Sequence, residues 1–264
     1  MAAIYLHGVG VLGPGLPDWD AARQVLAGHA AYRGEPLPDP KPEALPPNER
    51  RRGATTVRWA VAVAQQALLE SGIAPDGVAT VFTSSSGDGE TLHHMCETLT
   101  SPGREVSPTR FHNAVHNAPA GYWSIASRSR APSVTLCGHD ASFAVGLIEA
   151  AAQLQAEERP VLLVAYDLPY PEPLHAVRSV ALPFAVALLL LREPLPGTIG
   201  CWRIAVTPGA AATRFPETLP PEFATNPAAH GLSLLSTAAR GAGEDVPISY
   251  VNGCHLRVET RPWS

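Results

Sequence analysis

A tight turn at residues 138–140 places His139 and Asp140 between a predicted strand, which ends at Cys137, and a predicted helix. The strand, residues 133–137, is apolar and β-branched, and the helix, residues 141–155, is rich in good helix formers with apolar residues at helical spacing. A residue between a strand and a helix faces the positive helix terminus, where enzymes place a nucleophile. Asp140 stands there and is predicted to cap the helix by accepting its free amide protons.

Histidines and glycines elsewhere raise the question of a metal or a cofactor. The histidines that could form a metal site are His93, His94, His112, His116 and His139. Asn113 and Pro119 interrupt a single helical face and no carboxylate completes a ligand set, so we expect these histidines in loops facing a pocket or interface, without a metal. The glycines after the first strand do not fit the G-x-G-x-x-G spacing of a dinucleotide site. No cofactor is therefore predicted.

The elements around this turn indicate an α/β fold. Residues 160–165 and 182–191 read as buried strands that are apolar on both faces, as central strands are. An alanine-rich helix is predicted over residues 55–71, and a shorter one over residues 19–27, capped by Asp18 and stopped by Gly28. Strands alternating with helices are typical of a layered α/β domain.

Composition limits the classes of partner and compartment. A chain of 264 residues with 45% hydrophobic and 16% charged residues suits one large domain with extensive buried or interface area. The net charge of -5 argues against nucleic acid or an anionic membrane as partner. The cysteines lie apart without a CxxC pair, no basic-then-apolar leader opens the chain, and no apolar run is long enough to span a membrane. We therefore expect a cytoplasmic protein.

The stretch 132–167 resembles the nucleophile region of the β-ketoacyl synthases, the condensing enzymes of fatty-acid and polyketide synthesis. Counting forward from Pro132, or back from the end of the helix, the catalytic cysteine of that family falls at Asp140. Cys137 lies three residues earlier and is predicted to be a buried small hydrophobe inside the strand. Two further segments resemble the family: the opening helix with Trp19, and the entry to a helix at Asn117 and Gly121.

The resemblance implies a thiolase-like fold with α-β-α layers and sets the domain organisation. Residues 1–264 are expected to form one domain, in which residues 1–195 keep the N-terminal half of a synthase and residues 196–264 are a strongly reduced C-terminal half. The family's catalytic histidines, one of them in a His-Gly-Thr-x-Thr motif, have no counterpart in the second half. Asp140 does not replace the cysteine, since a carboxylate at a helix N-terminus stays ionised and is a weak nucleophile toward thioesters. Condensation by this chain alone is therefore not expected.

A synthase-like chain without its nucleophile resembles a chain length factor, in particular the shortened members of aryl-polyene pigment synthesis. Such a subunit forms a heterodimer with an active β-ketoacyl synthase, shapes the cavity in which a polyketide or polyene grows, and meets the acyl carrier protein through the complex. Arg50, Arg51 and Arg52 either dock an acidic carrier-protein helix or form a solvated face. The residues expected to line the interface or cavity are Phe111, His112, Asn117, Tyr122, Trp123, His139 and Phe143.

Two other functions stay open. One is a thiolase-fold acyltransferase or thioesterase that uses Cys137 with a histidine such as His139 or His255. It would be favoured by Cys137 at the turn rather than in the strand, and by a histidine within hydrogen-bond reach. The other is a stand-alone acyl-binding scaffold without a partner synthase.

Overall fold

The computed structural model describes residues 3–69 and 71–263 of the chain. Within these residues the strands are β1 (Ile4–Leu12), β2 (Ala79–Thr83), β3 (Ser133–Leu136), β4 (Val161–Asp167), β5 (Phe184–Leu191), β6 (Gly200–Pro208), β7 (Asp245–Ser249) and β8 (Cys254–Pro262). The helices are α1 (Trp19–Leu26), α2 (Pro47–Arg52), α3 (Thr55–Leu69), α4 (Gly89–Thr100), α5 (Pro108–Asn113), α6 (Ala118–Ser127), α7 (Ser142–Glu157), α8 (Leu174–Val177) and α9 (Gly231–Arg240).

The strands form one mixed sheet in the order β3-β2-β4-β5-β1-β6-β8-β7. The strands β3, β2 and β4 are parallel, so their carboxyl ends meet at one edge of the sheet. β5 runs antiparallel to both β4 and β1, and the last three strands join antiparallel at the start of β1. β3 is an outer strand of the sheet.

Alternating side chains of the central strands build two cores, one on each face of the sheet. In β4, Val161, Leu163 and Ala165 face the core shared with α1, α7 and α9. Leu162 and Val164 face the core shared with α3 and α6. Because successive side chains of a strand point to opposite faces, a strand covered on both sides must be apolar at every position. The structure thus confirms the predicted α-β-α layers.

Two glycines allow α3 to approach the sheet closely. A Cβ atom on Gly8 would lie 2.1 Å from the carbonyl oxygen of Ala67, and one on Gly10 would lie 2.2 Å from that of Val63. Both contacts are to helix backbone, which has no rotamer with which to make room. These two glycines of β1 therefore serve close helix packing.

The remaining helices show where the sequence predictions held. Asp18 caps α1 by accepting the amide of Ala21 at 2.8 Å, and Gly28 follows with φ of +76°, as predicted. The predicted helix 55–71 is described to Leu69, and residue 70 lies outside the described residues. In the described part of the chain, no helix has the length and apolar character that crossing a membrane requires.

Candidate functional site

The candidate site lies at the carboxyl ends of β2, β3 and β4. In open α/β sheets ligands bind outside these strand ends, at the point where the connections of two neighbouring strands leave in opposite directions. Here the chain leaves β2 toward β3 on one side and leaves β4 toward β5 on the other. The crevice between the ends of β2 and β4 is therefore the position at which the topology favours a site.

Asp140 does not cap the helix, which corrects the prediction. A 3-10 turn, His139–Ala141, precedes α7, and the residue in the cap position is Ala141, without a side-chain hydrogen bond. The Asp140 carboxylate is 73% exposed and accepts a hydrogen bond from Nη2 of Arg178 at 2.9 Å. The turn moves the helix start one residue beyond the predicted position, from residue 141 to Ser142, so Asp140 no longer stands in the cap position.

His139 completes this ionic cluster. Nη1 of Arg178 lies 2.7 Å from Nε2 of His139, and the other ring nitrogen, Nδ1, lies 3.3 Å from Oδ2 of Asp140. Because a guanidinium can only donate, Nε2 must accept, and the ring proton belongs on Nδ1, facing the carboxylate. His139 also has a φ of +52°, which is uncommon for a residue other than glycine. Asp140, the residue that the resemblance aligns with the family's nucleophile, is thus an ion-paired acid.

Cys137 lies just beyond β3 and is exposed, so its prediction as a buried residue inside the strand was wrong. The strand ends one residue earlier than predicted and is the outer strand of the sheet, where less of each side chain is covered. The thiol donates to the carbonyl oxygen of Ser85 at 2.9 Å. His139 points its ring at Arg178, and Nδ1 of His255 contacts the carbonyl of Gly209 at 2.7 Å. The position of Cys137 at the turn favours a reactive thiol. The rings of His139 and His255 contact other groups, so neither histidine is placed to activate that thiol.

A buried carboxylate occupies the crevice between β2 and β4. Asp167, 2% exposed, accepts hydrogen bonds at Oδ1 from Oγ of Ser84 at 3.0 Å and from N and Oγ of Ser85 at 2.8 and 2.7 Å. The hydroxyl of Tyr170 contacts Oγ of Ser85 at 2.9 Å and also Oγ of Ser86. Burial raises the pKa of Asp167 from 3.8 to about 6, although the serine donors and the charge of Arg178 oppose this.

His230 lies in the last part of the chain, on the turn before α9, and was not singled out by sequence. It is 8% exposed, its Nδ1 lies 3.3 Å from Oγ1 of Thr213, and its ring packs edge-on against Phe215. Burial lowers the pKa of His230 from 6.5 to about 4, with the charge of Asp140 opposing. His230 is therefore a neutral imidazole within electrostatic range of Asp140.

The predicted interface or cavity residues separate into two groups. Phe111, His112, Asn117 and His139 are exposed, Phe111 to 64%. Tyr122, Trp123 and Phe143 are buried in the two cores of this chain. These last three side chains present little surface to a partner in this chain, and their assignment to an interface or cavity stays a prediction.

A cavity of about 260 Å³ opens beside the strand ends, between the starts of α3 and α4. Trp59, Leu37 and Leu168 form an apolar wall, and Thr56 and Asp88 contribute polar atoms. Oγ1 of Thr56 donates to Oδ2 of Asp88 at 2.7 Å, so these two side chains satisfy each other. None of the predicted cavity residues lines this space.

The histidines considered as metal ligands have other partners. Nε2 of His93 and Nδ1 of His94 lie 3.2 and 3.6 Å from the Glu97 carboxylate. Nε2 of His116 lies 3.0 Å from the carbonyl of Leu136, and the ring of His112 packs edge-on against Tyr122. In residues 3–69 and 71–263, no group of three or more metal-binding side chains is arranged to hold an ion.

Sequence reasoning missed Arg178, Asp167, Tyr170 and His230. Asp167 had a signal, because a polar residue directly after a buried strand often lies at a site. Arg178 and Tyr170 are on an irregular segment, and His230 is far along the chain, so only the fold brings them to Asp140.

Comparison with known proteins gives one family and several similar structures. The family described as "Beta-ketoacyl synthase, N-terminal domain" matches residues 19–242. No curated protein matches the chain. A chain in the structure of a ketosynthase (ApeO) in complex with its chain length factor (ApeC) from Xenorhabdus doucetiae is 24% identical, with a TM-score of 0.73 over 98% of this chain and 100% of that chain.

Two further structures are similar along the full length of both chains. A chain of the ishigamide ketosynthase/chain length factor is 12% identical, with a TM-score of 0.77 over 100% of each chain. A β-ketoacyl synthase from Burkholderia phymatum STM815 is 12% identical, with a TM-score of 0.72 over 100% of each chain. At these identities the alignments establish a shared fold.

Proposed function

Because the chain belongs to the family of β-ketoacyl synthase N-terminal domains, we propose that it is a chain length factor, a synthase-like subunit without catalysis of its own, which pairs with an active synthase. Its fold is the thiolase-like fold of the ketosynthases. We assign residues 1–195 to a retained N-terminal half and residues 196–264 to a reduced C-terminal half. The matched structures include two ketosynthase and chain length factor complexes, which supports the comparison.

The proposal depends on Asp140, which the family resemblance places where the synthases have their catalytic cysteine. Condensation needs a thiolate that holds the acyl chain, and the carboxylate there is held by Arg178 at 2.9 Å and His139 at 3.3 Å. An ion-paired carboxylate is a poor nucleophile, and its charge repels a developing enolate. We therefore assign Asp140 a structural role and leave acyl transfer to the partner.

The surface beside β3 supports a protein partner. β3 pairs with β2 along one edge only, and no other described strand pairs with its second edge, which leaves backbone groups for strand addition. On α4, Leu92, Cys96 and Leu99 form an exposed stripe at i, i+4 and i+7, and α5 adds Phe111. An amphipathic helix with its apolar face uncovered is typical of an interface. We assign this surface to the synthase subunit.

Within the pair, the exposed residues Phe111, His112 and Asn117 are proposed to face the partner's chain cavity, where a polyketide or polyene grows. Phe111 is the exposed aromatic among them, and buried aromatic anchors dominate most interfaces. We place the complex in the cytoplasm, since Cys96, Cys137, Cys201 and Cys254 are all free.

The arginines of α2 support contact with an acidic carrier protein. Arg51 donates to the neutral side chain of Asn48 at 2.9 Å, and Arg52 lies 3.8 Å from Glu49. Asn113 of α5 donates to the carbonyl oxygen of Arg52 at 2.8 Å, which joins α2 to the helix that carries Phe111. This cationic surface on a chain of net charge -5 is thus next to the proposed partner surface.

Co-purification with the cognate synthase tests the proposal. We expect a 1:1 complex on size exclusion with light scattering. Association should be weaker for Thr135→Pro, because proline removes a backbone N–H donor of β3 that an added strand would need. The matched control is Pro247 in β7 at the far side of the sheet, where Pro247→Thr should leave association unchanged. If the chain elutes alone while the synthase is fully active by itself, the proposal is wrong.

A second function is favoured by the position of Cys137 at the turn, exposed beside the strand ends. An acyltransferase or thioesterase would use this thiol as nucleophile, with a histidine to activate it. Iodoacetamide labelling discriminates between the functions. Selective, rapid modification of Cys137 over Cys96, which is also exposed, would favour the enzyme, and equal slow rates would favour the silent subunit.

A further inference from the structure

The crevice between β2 and β4 is filled by a segment of the chain itself. Ser84 and Ser85 follow β2, Asp167 ends β4, and the hydroxyl of Tyr170 contacts Ser85 at 2.9 Å. Tyr170 is 6% exposed, so its side chain occupies the position at which the topology favours a ligand. It belongs to residues 168–183, which leave β4 and return to β5; we call these residues the strap.

The two ends of the strap are held together by one buried side chain. Nδ2 of Asn226 donates to the carbonyl oxygen of Asp167 and to that of Leu182, both at 2.9 Å. Asn226 is fully buried, so its bond to the Asp167 carbonyl is shielded from water, and its bond to the Leu182 carbonyl is partly shielded. A segment whose ends are close and jointly held is the arrangement of an Ω-loop, which is frequently functional.

The far side of the strap is held by a contact between the Arg178 side chain, which is 19% exposed, and two exposed acceptors. Arg178 donates to Asp140 at 2.9 Å and to His139 at 2.7 Å. Asp140 and His139 are both exposed, and Val177, directly before Arg178, is 82% exposed. Water and salt compete for the exposed acceptors of this ion pair, and they reach the buried Asn226 side chain less easily. The acceptors at the far side of the strap are thus more accessible to water than the Asn226 side chain at its base.

We propose that the strap is a displaceable cover over the crevice between β2 and β4, and that Asp140 is its anchor. Release of Arg178 frees the far side, while Asn226 keeps the two ends in place as a hinge. Withdrawal of Tyr170 then uncovers Ser84, Ser85 and Asp167. Asp140 thereby acts as a positioning residue for the strap, which closes the site. This property belongs to the chain alone and holds whether or not it pairs with a synthase.

Amide hydrogen exchange of the whole chain tests the cover directly. The amide of Ser85 donates to Oδ1 of Asp167 at 2.8 Å beneath Tyr170, so its exchange rate reports uncovering. We expect Arg178→Ala to accelerate this exchange about tenfold, because it removes the bonds of Arg178 to both Asp140 and His139. Asp140→Asn should accelerate the exchange about threefold, because it only weakens the pair between residue 140 and Arg178. The control is Arg192→Ala, which removes an exposed arginine paired to Glu158 at 2.6 Å away from the strap. It should leave the Ser85 amide unchanged.

Amides of β5, next to the strap's return, distinguish a local cover from a general loss of stability. Acceleration confined to residues 84–86 and 168–183 supports the proposal. Unchanged Ser85 exchange in both Arg178→Ala and Asp140→Asn would overturn it, because the anchor would then hold nothing. Equal acceleration throughout β5 would also overturn it, since Arg178 would then stabilise the whole fold rather than the strap. Asp140→Asn alters one exposed side chain, so its Ser85 exchange rate still tests the proposal even if Arg178→Ala fails to fold.

Discussion

Asp167 and His230 are two buried titratable groups whose effects on stability oppose each other, and single substitutions should reveal them. The informative variants are Asp167→Asn, which keeps an acceptor for Ser84 and Ser85, and His230→Gln, which keeps a polar partner for Thr213. We expect the free energy of unfolding of the two variants to change with pH in opposite directions between pH 4 and 6.5.

The signs follow from the direction of each pKa change. Burial raises the pKa of Asp167 from 3.8 to about 6, so its contribution to stability is fully present below pH 3.8 and is lost as pH rises through 6. Burial lowers the pKa of His230 from 6.5 to about 4, so its contribution is present above pH 6.5 and is lost as pH falls through 4. Since one pKa unit corresponds to about 1.4 kcal/mol, each effect amounts to about 3 kcal/mol.

Urea unfolding at several pH values, analysed by linear extrapolation, measures the effect. Relative to the wild-type protein, Asp167→Asn should gain about 2.5 kcal/mol of unfolding free energy as pH rises from 4 to 6.5, and His230→Gln should lose about as much, because this window covers most of each effect. Subtracting the wild-type curve removes the contribution of the exposed carboxylates. Two variant curves that run parallel would refute the assignment of these groups as buried and oppositely perturbed.

Three further predictions concern packing and the thiol. Phe143→Ala should lower the free energy of unfolding, measured in urea, by about 3–5 kcal/mol, because Phe143 is a buried core residue. Phe111→Ala should change the free energy of unfolding by less than about 0.5 kcal/mol and should weaken only association with the synthase, because Phe111 is exposed. Equal destabilisation by the two substitutions would contradict the assignment of Phe143 to the core and Phe111 to the surface. Gly8→Ala should destabilise the chain by about 2 kcal/mol or more in the same assay, because the added methyl group would lie 2.1 Å from the Ala67 carbonyl oxygen. If the Gly8→Ala variant were as stable as the wild-type protein, α3 would be free to move away from β1. Cys137→Ser should leave condensation by the reconstituted pair unchanged, measured as product formed per synthase, and a loss above about tenfold would indicate a catalytic thiol.

Much of the fold was predictable because it follows from local patterns. A run such as β5 that is apolar at every position must be covered on both faces, so the layered arrangement can be read from it. The cap at Asp18 was equally local, since one side chain bonds an amide three residues later.

The details of the site were less predictable, because they depend on distant elements and on shifts of one or two residues. A 3-10 turn moved the start of α7 past Asp140, and an earlier strand end exposed Cys137. Tyr122 and Trp123 are adjacent apolar residues, and the helical period did not decide whether they face the core or a partner. Arg178 reaches Asp140 across 38 positions of sequence, a pairing that no local pattern contains.

Intact-mass analysis of both subunits after incubation with an acyl-carrier thioester tests the central claim most directly. If Asp140 fills the position that a reactive thiol needs, the acyl group should appear on the synthase and not on this chain, and mutation of the synthase cysteine should abolish all acylation. An acyl adduct on this chain that disappears in Cys137→Ser would contradict the claim and identify the chain as an enzyme in its own right.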